Sequence, residues 1–198
     1  MMKPTNKKGR GALGLLLALG LLAPALGQAQ PSFASTMQFW KDPEFINKFM
    51  ASYGVKSEVE PKINAEEKEL FDELIPQIQA DPTQAIVMLI EAITPESSAA
   101  LDFTLANLYV QANDYPKAVA QYRQAIRKFP DFQRAHMNLG VVLIQLNQHV
   151  EAQKELVRTL ELGGEDGNIY GLIGYCHLIG EKYLSAEAAY RKATLFSP

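Results

Sequence analysis

The sequence predicts an all-α fold, a right-handed solenoid of antiparallel helix pairs, and three observations favour it. Similar residues recur at a spacing of 34 in the second half of the chain. The recurring segments carry apolar residues at helical spacing and small residues at two fixed positions. Pro or Gly stands near the end of each segment, where it stops the second helix and turns the chain. A period of this length is typical of stacked helical repeats.

The repeated segments are predicted to form three helix pairs, 99–132, 133–166 and 167–198. Their eighth and twentieth positions are small: Ala106, Gly140, Gly174, Ala118, Ala152 and Ala186. Their twenty-fourth position is large: Tyr122, Leu156 and Tyr190. Small residues let the two helices of a pair approach closely, and the large residue fills the space toward the next pair. Because one pair cannot bury its apolar face alone, we expect the pairs to stack.

Upstream of these pairs, residues 63–98 are predicted to form a degenerate helical hairpin of the same kind. The phase slips there, since Ala85 lies one position closer to Ala118 than the period requires. Pro82-Thr83 opens the second helix of the hairpin. The first helix has an acidic face, which suits an end of the solenoid that is exposed to water.

Residues 1–29 have the three-part form of a secretory signal peptide. A basic stretch over residues 3–10 precedes the apolar run Gly11–Leu22, Pro24 breaks that run, and small residues follow. The alternative is an uncleaved anchor, but a spanning helix needs about 20 apolar residues, and this run is shorter. We expect cleavage, no membrane span in the mature protein, and a periplasmic or secreted location.

Residues 30–62 are predicted to be a linker that carries one short aromatic helix. Asp42-Pro43-Glu44 is typical of a helix start, and Gly54 of a stop. The helix between them would carry Phe45, Ile46, Phe49 and Met50, with Phe39 and Trp40 just before it. Two roles stay open for this aromatic segment: it packs onto the first repeat, or it is a tethered recognition helix.

Cysteine count and charge exclude several classes of protein. A bacterial lipoprotein needs a cysteine at the cleavage site, and the only cysteine is Cys176. A single cysteine also excludes an internal disulfide. Without the four basic residues of the signal, 15 basic residues remain against 22 acidic ones, a net charge of −7. Such a chain has no reason to bind phosphate backbones, so we expect no nucleic-acid partner.

The segment Leu105–Phe132 resembles a tetratricopeptide repeat almost position by position. Met137–Gly163 resembles it nearly as well, and Ile169–Pro198 keeps the spacing with a more apolar first helix. The chain is therefore identified as a member of this family, of the kind exported to the bacterial envelope. The resemblance implies a right-handed solenoid that binds other proteins.

In this family the first helix of each repeat lines a concave groove. The resemblance implies that ten residues bind a partner there: Phe103, Asn107, Gln111, Arg134, Met137, Asn138, Val141, Gln145, Leu172 and Tyr175. Asn107 and Asn138 match recurrent groove asparagines, which either hold the backbone of a bound peptide or belong to the inherited scaffold. The Lys and Arg clamp of the subfamily that binds chaperone tails is absent, because the matching positions hold Phe103, Asn168 and Leu172. An apolar groove of this kind fits a hydrophobic peptide or an amphipathic helix.

No set of residues in the sequence is typical of an enzyme. Cys176 and His177 are adjacent, but neighbours on a helix point about 100° apart and do not form a nucleophile and base. The other histidines, His136 and His149, have no partner at ligand spacing, so we expect no metal, no cofactor and no catalysis. Cys176 is interpreted as a small apolar filler.

The predicted function is that of an interaction scaffold or adaptor in the bacterial cell envelope. The alternative is a structural subunit that forms homo-oligomers through its last repeat. Pro198 is the thirty-second position of that repeat, and Tyr190, Leu195 and Phe196 are expected to be exposed there. Either the array continues in a longer protein, or another molecule covers this end.

Overall fold

Eight α-helices form four successive hairpins in residues 58–196, which are the residues that the computed structural model describes. The helices are α1 Ala65–Ala80, α2 Pro82–Ala92, α3 Ala99–Gln111, α4 Tyr115–Lys128, α5 Gln133–Gln145, α6 His149–Glu161, α7 Gly167–Ile179 and α8 Tyr183–Phe196. This part of the chain holds no strand, and the predicted all-α helical solenoid is confirmed. The predicted signal peptide, the aromatic segment and residues 197–198 lie outside the described residues.

Each helix packs mainly against the next one along the chain, which is the contact pattern of a solenoid. The first helices of the three repeats, α3, α5 and α7, begin at Ala99, Gln133 and Gly167, at the spacing that the sequence period predicts. Beyond these sequential contacts, α5 also touches α7. Among the described helices, none combines the length and the apolar character that crossing a membrane requires.

Small residues let the two helices of a pair pack closely. In the second repeat, a methyl group on Gly140 would lie 2.8 Å from Leu156 Cγ and 3.3 Å from the carbonyl oxygen of Ala152. Leu156 is fully buried, as is Tyr122 at the same position of the first repeat. The glycine is therefore required by the approach of α6, because no side chain fits between the two helices.

The turn inside each repeat has one geometry, a Schellman motif with a left-handed residue. Asn113, Asn147 and Glu181 have φ angles of 59°, 59° and 58°. In the first repeat, the amide of Asn113 donates to the carbonyl of Val110 at 3.0 Å, and that of Asp114 to the carbonyl of Tyr109 at 2.8 Å. The same two bonds recur in the other repeats. Asparagine tolerates this conformation, whereas Glu181 adopts it at a cost.

Glu67 joins the degenerate hairpin to the first repeat. Its Oε2 accepts from the backbone N–H of Asn64 at 2.9 Å, which completes a capping box at the start of α1. Its Oε1 accepts from the backbone N–H of Ser98, the residue before α3, at 2.6 Å. One buried carboxylate therefore stabilises the beginnings of two helices.

A buried ion pair joins α3 to α4 and to the loop before α3. Asp102 is almost fully buried, and its Oδ2 lies 2.6 Å from Lys128 Nζ. Lys128 also donates to the carbonyl of Thr94 at 2.7 Å, and Gln121 donates to the other carboxylate oxygen at 2.6 Å. Burial raises the pKa of Asp102, and the bond from Lys128 opposes that rise.

The last described helix, α8, buries little of its surface. Ala189 is its only buried residue among those described. Tyr190 and Leu195 are 63% and 79% exposed, and Phe196 is 45% exposed. The expected exposure of these three side chains is therefore observed, and an apolar surface faces outward on α8.

Candidate functional site

The ten predicted groove residues lie on α3, α5 and α7, and the two that are buried are both on α3. On α3, Phe103 and Asn107 are buried to 1% and 0% exposure. On α5, Met137, Asn138 and Val141 are half-buried. Gln111, Arg134, Leu172 and Tyr175 are half-buried as well, and Gln145 is exposed. We call the surface formed by these ten residues the groove; it is closed at Phe103 and Asn107 on α3 and more open on α5 and α7.

Asn107 lies at the centre of a hydrogen-bonded network inside the groove. Its Oδ1 accepts from the hydroxyl of Tyr122 at 2.5 Å and from Asn138 Nδ2 at 3.0 Å. Burial raises the pKa of Tyr122, so the phenol keeps its proton and donates. Because both bonds end on the oxygen, the amide orientation of Asn107 is fixed, and its Nδ2 points away from these partners.

Two amide donors in this region have no acceptor within the described part of the chain. They are Asn107 Nδ2 and Gln111 Nε2, and both atoms are buried. The two residues are four apart on α3, so their side chains lie on one face of the helix. A buried donor without an acceptor costs about 1–3 kcal/mol. These two donors suit the carbonyl oxygens of a bound backbone.

Arg134 lies at the closed end of the groove and is paired with Glu60. Its Nε and Nη2 donate to the two carboxylate oxygens of Glu60 at 2.7 and 2.5 Å. Its guanidinium also lies over the rings of Phe103 and Phe132, 5.6 and 5.9 Å from their centroids. The backbone N–H of Gln133 donates to the carbonyl of Val59 at 3.2 Å. The chain just before α1 is thus held against the start of α5.

The sequence pattern carries no signal for this contact, because Glu60 and Arg134 are 74 residues apart. The environment of His136 was not predicted either; its two ring nitrogens lie 2.6 Å from Glu155 Oε2 and 2.9 Å from the carbonyl oxygen of Pro130. One sequence feature could have indicated the contact between His136 and Glu155. The two residues are 19 positions apart in the sequence, which places them on the two helices of one repeat.

The side chains considered for chemistry are isolated from one another. Cys176 is 5% exposed, and burial raises the pKa of its thiol to about 11. It therefore remains a thiol at neutral pH and packs as an apolar residue. Among residues 58–196, no three His, Cys, Asp or Glu side chains come together as metal ligands would.

Stacked helical hairpins with a shared surface on their first helices define the class, an α-solenoid repeat protein. Residues 103–160 match the family model described as the tetratricopeptide repeat. The matched segment is therefore similar to tetratricopeptide repeats, in agreement with the resemblance found in the sequence. Repeats of this class typically form non-catalytic scaffolds for protein–protein interaction.

Solved structures of MamA are similar in fold. MamA from Desulfovibrio magneticus RS-1, from residue 41 to its end, is 20% identical, with a TM-score of 0.62 over 69% of this chain and 78% of that one. A MamA structure from MSR-1 is 19% identical, with a TM-score of 0.58 over 82% of this chain and 90% of that one. At these identities the likeness concerns the fold alone.

A curated human relative, protein O-mannosyl-transferase TMTC3, is 32% identical over 76 residues. The match covers 37% of this chain but 8% of the human protein. The similarity is therefore limited to a segment the length of about two repeats.

Proposed function

We propose that this protein is an interaction scaffold whose groove binds a peptide or an amphipathic helix of a partner protein. The observation that carries the proposal is the pair of buried amide donors of Asn107 and Gln111, which have no acceptor within residues 58–196. They lie at the α3 end of a surface that continues with half-buried apolar side chains on α5 and α7. A bound chain would offer its carbonyl oxygens to the amide donors of Asn107 and Gln111. Its apolar side chains would contact the apolar residues of the groove on α5 and α7.

The chemistry of the groove favours an apolar partner segment. Toward its open end the groove presents Met137, Val141, Leu172 and Tyr175. Arg134 is the groove's only cationic residue, and its charge is met by Glu60. A partner recognised mainly by its charge would find few opposite charges in the groove. A partner with apolar residues on one face would bury those residues against the apolar side chains of the groove.

The test is the recovery of partners by a variant whose groove carries charges. Val141→Glu with Leu172→Glu places two carboxylates on half-buried groove positions, where a bound apolar face would have to desolvate them. The matched control is Val150→Glu with Val157→Glu on α6, because these side chains are 74% and 36% exposed and lie outside the groove. Each protein serves as bait in an envelope extract, and bound proteins are quantified by mass spectrometry.

We expect wild type and the α6 control to recover the same partners, and the groove variant to lose at least nine-tenths of them. Circular dichroism must show equal helix content for all three proteins. Equal recovery by the groove variant would overturn the proposal.

We further propose that the scaffold works in the bacterial cell envelope, as the signal-like residues 1–29 suggest. Cell fractionation followed by mass spectrometry of the N-terminal peptide tests this location. A mature N-terminus near residue 30 in the periplasmic or extracellular fraction supports it. An intact Met1 in the cytoplasmic fraction contradicts it.

A second candidate function is a structural subunit that associates through α8. The observation that favours it is the exposed apolar surface of α8, where Leu184 and Leu195 are 84% and 79% exposed. Light scattering after size-exclusion chromatography of concentrated protein tests this candidate. A dimer or larger assembly that Leu184→Asp with Leu195→Asp converts to a monomer supports it, and a wild-type monomer contradicts it.

A further inference from the structure

We infer that the groove contains a carboxylate-binding subsite at Arg134, which Glu60 occupies in cis, and that Glu60 is therefore the residue that keeps acidic segments out of the groove. The ligand that this subsite would take from a partner is a carboxylate, from an aspartate or glutamate side chain or from a chain terminus. The inference rests on the proposed function, because the subsite belongs to the surface that would bind the partner.

The first step is the construction of the subsite. The guanidinium of Arg134 lies 5.6 Å from the centroid of the Phe103 ring and 5.9 Å from that of the Phe132 ring. The two rings contact each other, with centroids 4.8 Å apart, and both side chains are buried. Aromatic faces attract a guanidinium and restrict its movement. Arg134 is therefore held in a fixed orientation, which suits bidentate binding of a planar carboxylate.

The second step is the carboxylate that the subsite holds. Nε and Nη2 of Arg134 donate to the two carboxylate oxygens of Glu60 at 2.7 and 2.5 Å. Two parallel bonds of this kind are the strong, specific geometry of an arginine with a carboxylate. The side chains of Glu60 and Arg134 are 8% and 20% exposed, so the pair is largely shielded from water. Glu60 thus makes the contacts that the carboxylate of a partner would make.

The third step is the way in which the backbone places Glu60. The carbonyl of the preceding residue, Val59, accepts from the backbone N–H of Gln133 at 3.2 Å, and the following residue, Pro61, is buried. Gln133 precedes Arg134, so this bond holds the two chain segments side by side at the subsite. Because Glu60 belongs to the same chain, its effective concentration at Arg134 is high. A partner carboxylate that makes the same two bonds therefore competes poorly with it.

The fourth step is the consequence for selectivity. Arg134 is the one charged residue among the ten of the groove, and Glu60 neutralises it. An acidic segment would lose hydration in this groove without gaining an opposite charge, whereas an apolar segment meets no such penalty. Unfavourable contacts with a competitor contribute to specificity as much as favourable contacts with the preferred partner. Removal of the Glu60 carboxylate should therefore extend the partners from apolar to acidic segments.

The experiment selects peptides from a displayed random library on the full wild-type chain and on Glu60→Ala, which removes the carboxylate from the subsite. The matched control is Glu151→Ala, which removes the carboxylate from Arg123 in an exposed ion pair outside the groove. We expect wild type and the control to select apolar peptides and Glu60→Ala to select acidic ones as well. The acidic peptides should bind Glu60→Ala about tenfold more tightly than wild type, about the effect of one charge-assisted hydrogen bond. Arg134→Gln in the Glu60→Ala background should abolish this gain.

Fluorescence anisotropy gives the dissociation constants, and circular dichroism verifies that each variant is folded. Selected peptides with asparagine for aspartate or glutamine for glutamate, and peptides with an amidated C-terminus, show which carboxylate is the ligand. Glu60→Gln keeps the size of the side chain and removes its charge. If Glu60→Ala does not fold, Glu60→Gln replaces it and should give part of the gain.

Each outcome decides between the two proposals. If acidic peptides bind wild type and the Glu60 variants equally, or if their preference survives Arg134→Gln, the carboxylate subsite is overturned, while selection of apolar peptides still supports the proposed function. If neither wild type nor the Glu60 variants select any peptide, the groove does not bind peptides and both proposals fail.

Discussion

The close approach of the two helices in the second repeat predicts opposite effects of one substitution at three glycines. Gly140 and Gly174 hold the same repeat position, on α5 and α7, and Gly171 lies on the same helix as Gly174. Alanine is favoured over glycine inside a helix by about 0.8–1 kcal/mol. The sign of each substitution therefore depends on what the added methyl group meets.

At Gly140 the methyl group meets the core. It would lie 2.8 Å from Leu156 Cγ and 3.0 Å from Leu156 Cδ2, and Leu156 is fully buried and cannot swing aside. Overpacking of this kind costs about 1–3 kcal/mol. After the gain in helix propensity, we expect Gly140→Ala to lower the free energy of unfolding by about 1 kcal/mol.

At the other two glycines the methyl group is accommodated. The nearest atom at Gly174 is the carbonyl oxygen of Ala186 at 3.4 Å, an ordinary contact, and nothing lies within 4 Å at Gly171. We expect Gly174→Ala and Gly171→Ala to raise the free energy of unfolding by about 1 kcal/mol each. Gly171→Ala measures the propensity gain alone and is the control for both.

Urea unfolding followed by far-ultraviolet circular dichroism measures the three differences. A difference of about 2 kcal/mol between Gly140→Ala and Gly174→Ala corresponds to about 6 °C in the melting temperature. If Gly140→Ala is as stable as Gly171→Ala, the close packing of α5 on α6 is wrong.

Three further predictions concern a turn, a cap and a buried charge. Glu181→Asn should raise the free energy of unfolding by about 0.5–1 kcal/mol, because asparagine tolerates the positive φ of that turn; an unchanged urea midpoint would contradict the turn geometry. Glu67→Ala should lower it by about 2–3 kcal/mol, because two helix starts lose their acceptor, and a urea midpoint equal to that of wild type would contradict this double role. The raised pKa of Asp102 means that its carboxyl stabilises the fold fully below its unfolded value of 3.8 and loses that contribution as pH rises through the folded value. Relative to wild type, Asp102→Asn should therefore become more stable as pH rises above 3.8, and a difference that does not change with pH would exclude the raised pKa.

The helices of the repeats could be predicted from sequence because their signals are local and recur. The small residue at Gly140 and the large residue at Leu156 each report a contact inside one repeat, and the same spacing is found in all three repeats. The ion pair of Glu60 with Arg134 has no such signal. It forms once, between residues outside any common period, and depends on how the chain enters the solenoid. The burial of Phe103 could not be read from the family pattern for the same reason.

The turns show an intermediate case. Asn113 and Asn147 are residues that tolerate a left-handed backbone, so two of the three turns were open to prediction. Glu181 carries no such preference, and only its place in the period identifies its conformation. The repeat therefore imposes a left-handed backbone conformation on Glu181, although glutamate does not favour that conformation.

The slight burial of α8 has a consequence for the motions of the protein. Each helix of this solenoid contacts mainly its sequence neighbours. A helix that buries little area can therefore unfold locally with a small free-energy change while the other helices stay folded. With Ala189 as its only described buried residue, α8 is the helix expected to separate first and to expose the apolar side chains of α7. Amide protons of α8 should then exchange with solvent earlier than those of α5, and a protease should begin its digestion there. Loss of order would therefore begin at α8, before the main unfolding transition of the other helices.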